Sequence, residues 1–271
     1  MIGMIGFLKN ARMSLMQKKQ HLLERLDAIG TVLKDSGTAL ALLGLGSAGL
    51  ETERLDAYSD LDFFVIVKPG WKTCYIASLD WLSTLCSLAY VFRNTIDGYK
   101  VLFEDGIFCE FAVFEAHELS HIPFEGGRLI WQDDSFDEKW CTPSSKPQHA
   151  RLIEGTNEWH LGEALTNLYV GLGRVQRGEK LTGTRFIQSY AVDHVLALAK
   201  ALETAQGHAE DPFNHERRYE VRYPQTAKSL SAFIQGYEHN VESALALLTF
   251  LERHFEVNPA MSAAIRERCA S

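Results

Sequence analysis

Apolar residues recur three and four positions apart at Leu15, Leu22, Leu23, Leu26, Ile29 and Leu33, with Lys, Gln, Glu and Asp between them. That spacing predicts an amphipathic first helix, and Gly37 stands where its C-terminal cap is wanted. Two continuous apolar runs follow, ALALLGLG at 39–46 and LDFFVIVK at 61–68. Both are short, and the second is rich in branched and aromatic residues, so they predict buried strands. Helical spacing returns in SLDWLSTLCSLAYVFRN at 78–94, with Ser78 as its cap. YKVLFEDGIFCEFAVF at 99–114 then reads as two strands joined by the turn Glu104-Asp105-Gly106.

The pattern changes at CTPSSKPQH, residues 141–149, where two prolines and two serines predict a connection between domains. Beyond it strand signals nearly vanish. Residues 149–179, 184–206 and 241–255 each carry apolar positions at helical spacing and predict a bundle. The polar, proline-bounded stretch DPFNHERRYEVRYPQTA at 211–227 reads as a loop or a short irregular helix. The expected fold class is α+β, with a small mixed β-sheet domain over 1–143 and an α-helical domain over 144–271.

Composition narrows the function. The 271 residues are 46% hydrophobic and 23% charged, enough for one large domain or two modest ones. With 27 basic against 35 acidic residues, the net charge of -8 argues against a surface built for nucleic acid or anionic membrane and suits a cationic small partner. Five cysteines, widely spaced and without a CxxC pair, suggest neither a disulfide framework nor a thiolate zinc site, and point to a reducing cytoplasm. The start, MIGMIGFLKNARM, is broken by Lys9 and Arg12 and does not read as a signal peptide. No run reaches the roughly 18 apolar residues that span a bilayer.

Candidate chemistry sits where the second apolar run begins. Asp60 and Asp62 are two apart, so on an extended chain their carboxylates share a face, although burying an unpaired carboxylate is costly. Two hard oxygen ligands that converge suit magnesium, whose remaining positions go to waters and substrate phosphates. The bland reading is a solvated strand entry. Gly46-Ser47 ends the preceding strand, where glycine allows close backbone approach and a serine hydroxyl can donate to a phosphate oxygen; a simple turn is the alternative. Glu110 lies mid-strand among Phe108, Cys109, Phe111, Ala112 and Val113, a placement that solvation alone rarely explains unless the strand is an edge.

Taken together, Gly46-Ser47, Asp60-Leu61-Asp62 and Glu110 resemble the motif set of the nucleotidyltransferase superfamily with a polymerase-beta-like core. Within it the chain is most similar to bacterial antibiotic nucleotidyltransferases of the lincosamide and aminoglycoside groups. The resemblance implies transfer of a nucleoside monophosphate from a nucleoside triphosphate, ATP by preference, to a hydroxyl of a small acceptor, a cationic one being the kind that the net charge suits. It also implies Asp60 and Asp62 as Mg2+ ligands, Ser47 at the triphosphate tail, and Glu110 as general base or further metal ligand. One departure is the lack of a basic residue just after the serine: Ala48-Gly49-Leu50 follows, and the first arginine is Arg54. Triphosphate contacts are therefore expected from Arg54, from Lys146, Arg174, Lys180 or Arg185, or from Arg217-Arg218.

Three other readings compete. His117-Glu118-Leu119-Ser120-His121 fits the HExxH zinc pattern, but it directly follows a strand, and Pro123 leaves little room for the helix that this site requires. A nucleotide-binding module without chemistry and an enzyme that transfers AMP to a partner protein, as in toxin-antitoxin systems, are the others. Tyr169, Tyr190 and Trp159 would suit a cationic drug, with a place in the helical core as their alternative.

Overall fold

The computed structural model describes residues 15–122, 124, 126–141, 155–207, 211, 213–214 and 216–270. The chain divides into two compact units, Met1–Ile153 and Glu154–Ser271. Most of the segment expected to connect them, 142–149, lies outside the described residues.

The first unit opens with helix α1, Leu15–Ser36, whose Leu22, Leu26, Ile29 and Leu33 are buried as their spacing predicts. Gly37 follows and donates its N–H to Lys34 O. Strands β1, Ala39–Leu45, and β2, Leu61–Val67, form where the two apolar runs stand. The hairpin read from Glu104-Asp105-Gly106 is also present, as β4, Gly98–Phe103, and β5, Phe108–Glu115. Residues 78–94 depart from the helical expectation. After two short helices, α2 (Lys72–Ala77) and α3 (Asp80–Ser83), the chain extends into β3, Leu88–Phe92. Tyr90 and Phe92 are buried while Val91 points outward, the period-two pattern of an edge strand, and antiparallel pairing with β4 overrides the local helical spacing. Strand β6, Arg128–Gln132, closes the other edge.

The six strands are ordered β3-β4-β5-β2-β1-β6, and only β2 and β5 run parallel. One face carries the larger core, where Leu61, Phe63, Val65, Phe103, Phe111 and Val113 meet the buried residues of α1. Phe63 stacks on Phe111 at 5.2 Å, and Trp81 meets Phe111 edge-on at 5.6 Å. Each fully buried aromatic of this kind contributes about 1.5–3 kcal/mol. Arg25, only 8% exposed, ties α1 to the hairpin turn through Asp105 and lies 4.3 Å over the Phe103 ring. The opposite face carries a smaller core of Ala41, Leu43, Ile66, Phe114, Leu119 and Phe136.

Among the described residues the second unit is helical, and all six strands precede it. Helix α4, Asn157–Gln176, runs through its centre and packs on α5 (Lys180–Arg185), α6 (Ala191–Leu202), α10 (Asn240–His254) and α11 (Pro259–Cys269). A π-turn at Phe186–Tyr190 joins α5 to α6 and aims buried Gln188 at Asn240 Oδ1 and Gly236 O, both at 2.8 Å. The 211–227 stretch contributes short helices α7 (Tyr219–Arg222) and α8 (Pro224–Ala227), and Leu230–Phe233 forms α9. The architecture is thus α+β, a mixed sheet followed by helices. No helix is long and apolar enough to cross a membrane among the described residues.

Candidate active site on the sheet

A short polar loop delivers the aspartate pair. Asp56 accepts from the Tyr58 N–H at 2.8 Å and from the Ser59 hydroxyl at 3.2 Å, while Ser59 Oγ accepts from the Asp56 N–H at 3.0 Å. This closure leaves Asp60 at the point where the chain becomes extended. Leu61 and Phe63 are fully buried in the larger core, so strand alternation turns Asp62 to the opposite face; Asp60 stands just before the strand, and both aspartates are half-buried.

Register then assembles the acids. The parallel β2–β5 ladder sets Asp62 opposite Glu110, and the antiparallel β4–β5 ladder sets Lys100 opposite Glu110. Lys100, Glu110 and Asp62 therefore stand in one row across three strands. Farther along the same face, Phe64 meets Phe114 at 5.0 Å and Phe124 at 5.8 Å, so the polar row occupies one end of a face that is otherwise apolar. Glu110 Oε1 accepts from Asn94 Nδ2 at 2.8 Å, and Asn94 is only 6% exposed. The negative field reaches the other face of β5. Burial pushes the Cys109 thiol well up; Arg25 opposes that shift, and the charges of Asp60, Asp62 and Asp105 add to it.

The Gly46-Ser47 turn is folded against this row. Leu45 is the register partner of Asp62, and Gly46 adopts φ +50 in the short 3-10 turn Gly46–Ala48. A Cβ at Gly46 would stand 3.3 Å from Asp62 Oδ2, so a side chain there would crowd that carboxylate. The turn closes through Gly49 N–H to Gly46 O at 3.1 Å, and a Cβ at Gly49 would come within 2.6 Å of Gly44 O. Arg128, reaching from β6, donates Nε to Gly49 O and Nη2 to Ala48 O, each at 3.3 Å.

The other expected cations are placed differently. Arg54 is exposed and pairs with Glu51 beside the 3-10 turn Thr52–Arg54. Arg174 pairs with Glu179, Lys180 with Glu238 and Arg217 with Asp211, all within the second unit. Arg185 is exposed, and Lys146 lies outside the described residues. Tyr169 is buried under the Arg268 guanidinium at 3.6 Å and belongs to the helical core, whereas Tyr190 is exposed. Trp159 lies against His160 and His194.

The HExxH segment forms the 3-10 helix Ala116–His121. At about three residues per turn, positions four apart diverge by about 120° instead of sharing a face. Glu118 is engaged otherwise: both its oxygens accept from Lys72 Nζ, at 2.7 and 2.8 Å, and Oε2 also accepts from the Glu115 N–H at 2.8 Å. Lys72 also pairs with Asp97 at 2.7 Å. Burial pushes the Glu118 carboxyl up, but the Lys72 and Glu115 hydrogen bonds and the Lys72 charge outweigh it and hold it below its ordinary 4.5. A carboxyl with a depressed folded-state value stabilises above its unfolded value and loses that contribution as pH falls through the folded one. Glu118→Gln is therefore expected to lower Tm at pH 7, with the gap from wild type closing below about pH 4. Thermal melts across pH 3–7 check this, and a gap constant over that range would contradict it.

Two neighbours of the acids, Lys100 and Asn94, and one residue bonded to the turn, Arg128, were not foreseen from sequence. Lys100 carried a usable signal, since its alternation in YKVLF sets it on the Glu110 face once the hairpin is accepted. Asn94 and Arg128 carried none, because only pairing brings β3 and β6 to this place. No group of three or more His, Cys, Asp or Glu able to hold a metal is present among the described residues.

No protein-family model and no curated protein matches the chain. Among solved structures it is similar to an aminoglycoside 6-adenyltransferase from Bacillus subtilis, at 12% identity over 93% of this chain and 91% of that one, with a TM-score of 0.28. It is also similar to a STING-associated CdnE c-di-GMP synthase from Capnocytophaga granulosa, at 12% identity over 93% of this chain and 78% of the other, with a TM-score of 0.29.

Proposed function

We propose that the chain is a metal-dependent nucleotidyltransferase. It moves a nucleoside monophosphate from a nucleoside triphosphate, ATP by preference, to a hydroxyl of a small cationic acceptor of the aminoglycoside or lincosamide kind. The observation that supports this reading most is the in-register pairing of Asp62 with Glu110, at the edge of the Gly46-Ser47 turn and two residues after Asp60.

The donor set fits a small hard cation. Asp60 and Asp62, two residues apart at the strand entry, offer carboxylate oxygens, and the lack of a side chain at Gly46 avoids crowding Asp62 Oδ2. Magnesium takes one or two protein carboxylates and completes its shell with waters and phosphates, so two aspartates without a further acidic ligand are a sufficient protein contribution. When bound, Mg2+ neutralises charge on the phosphates of the nucleotide. Ser47 and the turn seat the triphosphate tail. Glu110, oriented by Asn94, accepts the proton of the acceptor hydroxyl as its oxygen bonds the α-phosphorus and pyrophosphate leaves. The excess of acidic residues favours a cationic acceptor over an anionic one.

The test is pyrophosphate release from ATP and Mg2+ across a panel of aminoglycosides and lincosamides. Acceptor-dependent release with a matching mass gain of one adenylate on the drug is the expected result. Label from ATP appearing on a lysate protein, with no drug modified, would make the chain a protein-modifying enzyme. Tight ATP binding with no transfer to any acceptor would make it a binding module.

A further inference from the structure

The turn taken to hold the triphosphate has no cation of its own. Gly46-Ser47-Ala48-Gly49-Leu50 is uncharged, and it stands beside Asp60, Asp62 and Glu110, whose field would oppose a polyanion. Of the basic residues expected from sequence, Arg54 is paired with Glu51, and the others described belong to the second unit.

The structure assigns this charge to Arg128: we propose that its guanidinium both holds the 46–49 turn and binds the triphosphate, an inference that rests on the nucleotidyltransferase reading. Arg128 is the first residue of β6 and the register partner of Gly44, two residues before the turn on β1. The approach is close, since a Cβ at Gly127 would meet Gly44 O at 2.7 Å. The guanidinium binds the Ala48 and Gly49 carbonyls through two of its five N–H groups, at 3.3 Å, near the long limit for such bonds. Three donors remain for a ligand.

Position marks the residue out. Arg25 is paired with Asp105, Arg54 with Glu51 and Lys72 with Asp97 and Glu118. Arg128, like Lys19, Lys68 and Arg93, forms no ion pair with a carboxylate among the described residues, and of these four it is the one bonded to the 46–49 turn. It is half-buried, so its charge is less screened than that of a surface arginine. A planar fork fixed by two carbonyls is suited to phosphate oxygens, which it can meet through parallel N–H groups.

Calorimetry on the full chain separates this role from simple support of the turn. The probes are ATP with Mg2+, inorganic tripolyphosphate and adenosine. Arg128→Gln is expected to weaken ATP and tripolyphosphate about tenfold or more while adenosine binds as in wild type. Arg128→Lys, which keeps the charge but loses the fork, is expected to fall between the two, with affinity that drops as salt rises. Unchanged ATP affinity in a folded Arg128→Gln protein overturns the proposal, as does an equal loss of adenosine and ATP, which would mean a structural role only. If Arg128→Gln does not fold, Arg128→Lys decides: tripolyphosphate binding that is weaker and more salt-sensitive than in wild type, with adenosine unchanged, supports the assignment, and tripolyphosphate affinity equal to wild type refutes it. Wild type that binds neither ATP nor tripolyphosphate refutes the nucleotidyltransferase reading itself, an outcome distinct from any variant result.

Discussion

Asp62→Asn is expected to reduce nucleotide transfer by about 10³-fold or more while leaving the protein folded, and Asp60→Asn is expected to do the same. On the proposed reading Asp60 and Asp62 form a magnesium pair, and removing one carboxylate from such a pair takes away several kcal/mol of charge stabilisation in the transition state, where each 1.36 kcal/mol is a factor of ten in rate. The fold should not suffer. Both aspartates are half-buried at the strand entry, and the packing of that strand is carried by Leu61, Phe63 and Val65 on the other face. Asparagine conserves volume, and it removes a like charge from beside Glu110 in the ladder, so Tm should not fall. Pyrophosphate release with ATP and Mg2+, read beside thermal melts, checks both halves. Retained activity in either variant would sink the nucleotidyltransferase reading.

Glu110→Gln is expected to behave differently. As a base, Glu110 contributes to turnover and little to nucleotide binding, so the variant should lose about 10²–10⁴ in rate with metal-dependent ATP affinity preserved. Glutamine keeps an oxygen in the position that accepts from Asn94 Nδ2, so the side chain can stay oriented and the loss reflects the missing proton acceptor. If instead the variant no longer binds ATP in the presence of Mg2+, Glu110 is a metal ligand and the proton must go elsewhere. The adjacent Lys100, opposite Glu110 in the β4–β5 ladder, would then bear on the charge of that ligand and not on a base.

Much of the first unit was legible because its signals are local. The helical spacing from Leu15 to Leu33, the two apolar runs and the Glu104-Asp105-Gly106 turn each specify their element within a few residues, and α1, β1, β2 and the β4–β5 hairpin form there. Residues 88–92 depart from the sequence pattern for the opposite reason. Their leucine and aromatic spacing continues that of the preceding helical stretch, and only the edge of a sheet turns LAYVF into a strand. The HExxH pattern shows the same limit: its spacing has meaning on an α-helix, and the chain instead forms a 3-10 turn held by Lys72.

The sequence alone determined the chemical vocabulary: two aspartates on one face at a strand entry, a glycine-serine turn before them and a glutamate inside a later strand. These follow from residue type and from the two-residue period of extended chain, which need no partner to operate. Tertiary structure decided which of those groups meet. Parallel pairing of β2 with β5, strands separated in sequence by α2, α3 and the β3–β4 pair, sets Asp62 beside Glu110, and β6 brings Arg128 to a turn that contains no charge. Ladder register is a property of two segments at once, fixed by how both bury their apolar faces, so no reading of either segment by itself could supply it.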